Sequence, residues 1–259
     1  METNIIEQGT VEHTVSNGIA TITFSHPKSN SLPGKVLRKL VATISEAGQD
    51  DSVKVIVLQS AGEKAFCAGA SFDELLSIAD FDTGKEFFMG FARVINAARK
   101  CPKLILGRVQ GKAVGGGVGM ASAVDYCFAM DTASVKLSEL AVGIGPFVVG
   151  PAVQRKVGTS AFGQLAINAT EWKSAQWARE KGLYTDVFDS IESMDEAIAK
   201  LANKLANSNP EAMKLIKKAL WKGTDNWDQL LEERAEMSGH LVLSEFTTNA
   251  INKFKSGAR

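Results

Sequence analysis

The sequence predicts an α/β fold with a largely parallel sheet, continued by a helical tail. Two continuous β-branched runs, VKVIVLQS (53–60) and KLILGRVQ (103–110), read as strands buried on both faces. Each is followed by a glycine-bearing loop that enters a helix, and a repeated strand–loop–helix order marks that class.

Taken in order, TVEHTVSNGIATITFSHP alternates polar and apolar residues around Asn17-Gly18, the strongest short hairpin signal. Val36, Leu37, Leu40, Val41 and Ile44 then mark one face of a helix. After the strand at 53–60, AGEKAFCAGASFDELL is a loop leading into a helix, and FFMGFARVINAARKC is helical. The strand at 103–110 runs into GKAVGGGVGMASAVDYCFAM (111–130), in which four of five consecutive positions are glycine. DYCFAMDTASVKLSEL holds short strands, VGTSAFGQLAI and SAQWAREKG are helical, and LYTDVF is a strand. From Met194 the character changes to helices broken at NSNP, with Pro210 suited to a first helical position. The organisation is therefore a core over 1–193 and a helical tail over 194–259.

The 259 residues include 29 Lys plus Arg and 29 Asp plus Glu, so the formal charge is zero. That balance offers no nucleic-acid surface, and no basic run suggests a membrane one. Cys67, Cys101 and Cys127 are odd in number and lack metal-ligand spacing, as expected for reduced thiols in a cytosol-like compartment. The first residues, METNIIEQGT, have neither the apolar core of a secretory leader nor transit-peptide character. No apolar run is long enough to span a bilayer. A cytoplasmic protein is the resulting expectation.

Chemistry is narrowed next. His13, His26 and His240 are scattered, so no metal site is expected, and each reads as a surface or packing residue. A G-x-S-x-G elbow is absent, and Gly34-Lys35 is followed by Val36, which defeats a P-loop. Gly117-x-Gly119-x-x-Ser122 nearly fits a dinucleotide fingerprint, with Glu139 about 20 residues further on, although the third glycine is replaced and the motif lies mid-chain. The other reading takes two loops together, CAGA and GGGVG, each leading into a helix. Backbone N–H groups there are preorganised donors for a developing oxyanion, and glycines let backbone approach a ligand closely. Both readings stand on the residues alone.

AFCAGASFDEL resembles the AFxAGADxxxL segment of the enoyl-CoA hydratase/isomerase (crotonase) family. GRVQGKAVGGGVGMASAVDYCFAMDTASVKLSELAVGIGP is similar to that family's second signature, and the order of elements matches over nearly the whole chain. The resemblance implies a spiral of β-β-α units and a C-terminal helical region that builds a homotrimer or hexamer. It implies an acyl-CoA thioester as substrate, with coenzyme A part of that substrate and no separate cofactor. Carried over by position, the oxyanion donors are the N–H groups of Ala70 and Gly116, and the base is Glu139. Ala68, Ser71, Phe72 and Asp73 fall where the family contacts its CoA ester, and Pro146 and Phe147 would wall the acyl pocket. Of two glutamates that hold a water in the family's hydratases, the first position here is Gly119. A glutamate there is expected to project toward the substrate, opposite Glu139. Ser71 also departs from the usual aspartate. One carboxylate suits a proton shuttle from C2 to C4 of a 3-enoyl-CoA, and LSELAVGIGPF resembles the LNExxLGIxxPF stretch of Δ3,Δ2-enoyl-CoA isomerases. Hydration is the alternative; decarboxylation, thioester hydrolysis and non-catalytic acyl-CoA binding also stand open. Leu201, Leu205, Ile216, Leu220, Leu230 and Leu231 of the tail are expected to face a neighbouring subunit in part.

Overall fold

A computed structural model describes residues 8–255 of the chain; the leaderless reading falls largely on 1–7, outside the described residues. Strands β1 (Thr10–Ser16) and β2 (Ile19–Ser25) form the expected hairpin, with Asn17 at φ 49° and Gly18 at φ 77°, the left-handed pair that a tight two-residue turn demands. Beyond β3 (Ser31–Leu32), helix α1 (Gly34–Gln49) buries Val36, Leu37, Leu40 and Ile44.

The chain then repeats one device. A long strand enters a six-stranded sheet, a short one enters a four-stranded sheet, and a helix follows. The long strands are β4 (Val55–Ser60), β7 (Leu104–Val109) and β9 (Tyr126–Met130); the short ones are β5 (Ala65–Cys67), β8 (Lys112–Val114) and β10 (Ser134–Lys136). The large sheet has the order β1-β2-β4-β7-β9-β12, parallel from β2 onward, with β12 at Asp186–Phe188. The second sheet has the order β11-β10-β8-β5, with β11 at Lys173–Ser174. This is the β-β-α spiral.

The second sheet positions everything that matters later. Because β5, β8 and β10 are parallel neighbours, their carboxyl ends emerge side by side. The segments that follow are β6 (Gly69–Ala70), paired with β3, helix α4 (Gly116–Ala123), and a 3-10 turn at Glu139–Val142. Strands of two or three residues carry too little periodicity to read, so AFC and KAV resemble loop in the sequence.

Helices α2 (Phe72–Leu75) and α3 (Phe81–Lys100) follow β6, and Asp80 caps α3 by accepting from Thr83 N–H at 2.8 Å. Helix α5 (Gly150–Ile167) starts earlier than the sequence pattern suggests and bends at Gly158, φ 77°. A short α6 (Ala175–Glu180) precedes the tail helices α7 (Ile191–Ala206), α8 (Pro210–Leu220), α9 (Trp227–Leu241) and α10 (Glu245–Lys255).

The tail is fastened to the core. Asp125 lies just before β9 and accepts from Ile105 N–H at 2.7 Å, Lys217 Nζ at 2.6 Å and Trp221 Nε1 at 2.9 Å. The ion pair is almost wholly buried, and removing one partner of such a pair costs about 3–5 kcal/mol because a bare charge remains. Of the apolar tail residues expected at an interface, Leu231 is fully buried, and Leu201, Leu205 and Leu230 pack on this chain's own core. Ile216 and Leu220 are exposed, together with Leu215, Met237, Leu241 and Leu243. Among the described residues, no helix is long and apolar enough to cross a membrane.

Candidate active site

The three strand ends open onto one cavity of about 450 Å³, lined by Ala68, Gly69, Ala70, Phe72, Gly115, Gly116, Ser138 and Glu139. Its remaining wall is almost entirely apolar and includes Phe87, Phe88, Phe91, Pro146, Phe147 and Val149. A mostly apolar cleft with few convergent polar groups is the usual form of a small-molecule site.

Each glycine of the 115–119 loop answers to a different neighbour. Gly115 has φ 51° and donates its N–H to Lys136 O at 2.9 Å; a Cβ there would lie 2.9 Å from Glu139 Oε1. A side chain at Gly116 would overlap the Phe91 ring, and one at Gly117 would overlap the Cys67 carbonyl. Bare backbone therefore lets α4 begin against both CAGA and the Glu139 carboxylate. Gly116 is the first residue of that helix, where N–H groups have no intrahelical acceptor.

Ala70 is set with comparable care. Ser71 N–H donates to Leu32 O at 3.0 Å, and Ser31 Oγ donates to Ala70 O at 2.8 Å. Successive amides of an extended strand point to opposite sides, so the Ala70 N–H turns away from β3. Two unlike loops, one carrying Ala70 and one carrying Gly116, thus line the same cavity.

Glu139 opens its 3-10 turn, which Gly143 closes in the left-handed conformation at φ 83°. Its backbone carbonyl accepts from Ile144 N–H at 3.0 Å. Of its side chain, Oε2 is shielded from solvent and, among the described residues, has no hydrogen-bond partner. Burial, only weakly opposed by a backbone N–H, pushes the carboxyl up to about 7. Near neutrality it therefore exists in both protonated and ionised forms. Nearby Cys67 is no rival base, because burial pushes its thiol up to about 12.

The other candidates separate. Ala68, Phe72, Pro146 and Phe147 line the cavity. Ser71 does not; it is buried and caps α2, accepting from Glu74 N–H at 3.3 Å. Asp73 lies off the cavity and pairs at 2.6 Å with Lys28, which does line it. Gly119 is not among the residues that line the cavity. It is buried on α4, and a Cβ there would meet Val149 Cγ1 at 2.6 Å and Ile95 Cδ1 at 3.4 Å. Val149 itself lines the cavity, so a side chain at 119 would crowd a residue of the cavity wall. Sequence reasoning missed Lys28, Ser31, three of the four phenylalanines of α3 (Phe87, Phe88 and Phe91), and Ser238 on α9, which reaches the cavity from the tail. The i, i+1 and i+4 spacing of Phe87, Phe88 and Phe91 is a visible signal, but it reads equally well as helix core.

Comparison with known proteins agrees with this geometry. The family model described as enoyl-CoA hydratase/isomerase matches residues 14–255. The chain is 30% identical over 239 residues to the short-chain-enoyl-CoA hydratase of Clostridium acetobutylicum, covering 91% of this chain and 90% of that one. It is 30% identical over 208 residues to the carnitinyl-CoA dehydratase of Escherichia coli K12, covering 79% and 78%. Among solved structures, an enoyl-CoA hydratase from Bacillus halodurans superimposes with a TM-score of 0.86 at 21% identity, over 93% of this chain and 98% of that one. An enoyl-CoA hydratase from Mycobacterium avium subsp. paratuberculosis gives 0.83 at 25% identity, over 95% and 96%.

Burial of an unpaired Glu139 has a signed consequence for stability. Unfolding returns the carboxyl from about 7 to about 4.5, so between those values the folded state holds more protons and stability falls as pH rises. Glu139→Gln imitates the protonated group. It should stabilise the protein at pH 8 by on the order of 3 kcal/mol and by less than about 1 kcal/mol at pH 5. Urea titrations at the two pH values check this, and equal effects at both would show that the carboxyl titrates normally.

Proposed function

Since the chain belongs to the enoyl-CoA hydratase/isomerase family and is an acyl-CoA enzyme, we propose that it moves a double bond, converting 3-enoyl-CoA to 2-enoyl-CoA. The observation that carries this reading is the single carboxylate: among the described residues Glu139 is the one acidic side chain lining the cavity, and position 119 is glycine.

The thioester carbonyl accepts from the Ala70 and Gly116 amides, which stabilise the enolate oxygen as charge develops; one such donor is typically worth about 100- to 1000-fold in rate. Ionised Glu139 removes a C2 proton and returns it to C4. A carboxyl raised to about 7 is a stronger base than an exposed one, and near neutrality it can accept and then release the same proton. The apolar wall keeps water from the dienolate. Coenzyme A is part of the substrate and no separate cofactor is invoked. A second reading, hydration of 2-enoyl-CoA, is favoured by the names of the relatives, one of which is a short-chain-enoyl-CoA hydratase. It asks Glu139 alone to orient the water.

The exposed apolar residues Leu215, Ile216 and Leu220 on α8, with Met237 and Leu241 on α9, support assembly into a homotrimer or a hexamer. Three free cysteines support a cytoplasmic setting.

Two measurements test these proposals. The unmodified protein should shift the double bond of 3-hexenoyl-CoA much faster than it hydrates crotonyl-CoA, and Glu139→Gln should lower that rate by at least about a hundredfold. Because the ionised form is active, kcat/KM should fall about tenfold per pH unit below about 7. Efficient hydration without any double-bond shift would overturn the isomerase reading. Multi-angle light scattering should give three or six times the chain mass, and a monomer at micromolar concentration would refute assembly.

A further inference from the structure

The cavity is lined in part by the tail of the same chain, through Ser238 on α9. Helix α9 runs antiparallel to α3 and is tied to it at both ends. At one end Arg99 pairs with Asp228 at 3.2 Å; at the other Lys85 pairs with Glu232 at 2.7 Å and Glu236 at 2.8 Å. His240 stacks on Phe81 with ring centroids 4.2 Å apart. Between these ties the helices touch backbone to backbone: a Cβ on Gly239 would lie 2.9 Å from Lys85 N, and one on Gly84 would lie 3.2 Å from Gly239 O. This contact cannot slide without breaking the pairs around it.

Ser238 is the residue beside that contact. It is 1% exposed, lines the cavity, and donates its hydroxyl back to Arg234 O at 3.3 Å, so it presents no unmet polar demand. Depth can be measured along α3. Phe91 lies over Gly116, and Gly84 lies against Gly239, seven residues earlier. At a rise of about 1.5 Å per residue, that is about 10 Å, the extent of roughly eight carbons of an extended chain with bonds of about 1.5 Å. Phe87 and Phe88 line the interval.

We propose that Ser238 is the floor of the acyl pocket and that its small side chain sets the substrate class: unbranched apolar acyl groups of up to roughly eight carbons. This rests on the acyl-CoA reading of the site but not on which reaction follows. Along the shaft each buried methylene is worth about fourfold in affinity, from the transfer of a CH₂ group out of water. A larger side chain at 238 fills the floor and spares the region near Glu139, so it penalises long chains selectively.

The test uses saturated acyl-CoAs, which bind without reacting, so its outcome is independent of the isomerase assay. Isothermal titration of the full-length protein with butanoyl-CoA and octanoyl-CoA should show octanoyl-CoA binding at least tenfold tighter. Ser238→Phe should weaken octanoyl-CoA at least tenfold while changing butanoyl-CoA less than threefold, and Ser238→Ala should follow the unmodified protein. If Ser238→Phe does not fold, Ser238→Leu carries the same comparison. A flat profile in the unmodified protein overturns the proposal, as does a Ser238→Phe or Ser238→Leu variant that leaves the octanoyl-to-butanoyl ratio unchanged, whether both affinities fall or neither does.

Discussion

An unpaired carboxylate held out of water is the constraint around which this chain is arranged. Glu139 Oε2 has no partner among the described residues, and a charge in that position is expensive unless it is neutralised. The protein meets the expense by letting the carboxyl hold its proton up to about pH 7, which leaves a base of useful strength in an apolar cavity. Under the proposed function, stability is given up at the same side chain that removes a weakly acidic proton. The rest of the molecule supplies the stability elsewhere, in a core that runs through both sheets and in the buried Asp125–Lys217 pair that ties the tail down.

Parallel pairing of β5, β8 and β10 converts three distant stretches of sequence into one site. Ala70, Gly116 and Glu139 each lie a few residues beyond one of those strands, so adjacency of the strands is adjacency of the groups. The glycines belong to the same requirement. Gly115 leaves room for the carboxylate, Gly116 for the Phe91 ring and Gly117 for the Cys67 carbonyl. A methyl group at 117, which would meet backbone, would push α4 away from the CAGA segment. Position 119 answers to a different neighbour, Val149, whose side chain a Cβ there would meet.

Much of this arrangement is legible in the amino-acid sequence. Asn17-Gly18 announces its hairpin through local turn chemistry, and the β-branched runs announce buried parallel strands. Ala70, Gly116 and Glu139 are carried by two linked signatures, and all three line one cavity. Other features depend on contacts the sequence does not show. Ser71 has the place of a ligand contact in its motif and also caps α2. What a side chain at Gly119 would meet depends on Val149, just before α5, a contact between elements that no local pattern encodes. Ser238 is invisible for the same reason, since its relation to Phe87 and Phe88 exists only once α9 lies on α3. The tail leucines split between core and surface because helical periodicity shows that a face is apolar, not which neighbour covers it.

In the proposed isomerisation the central step is one base visiting two carbons inside a cavity that excludes water. Isotopic transfer measures that directly. With 3-hexenoyl-CoA carrying deuterium at C2 and turnover in ordinary water, a shuttle through Glu139 delivers label to C4, visible by NMR of the 2-hexenoyl-CoA product at early conversion. Deuterium at C4 in a substantial fraction of product is the predicted result. Complete loss of the label to solvent, or a product carrying a hydroxyl group at C3 in place of the shifted double bond, would contradict it.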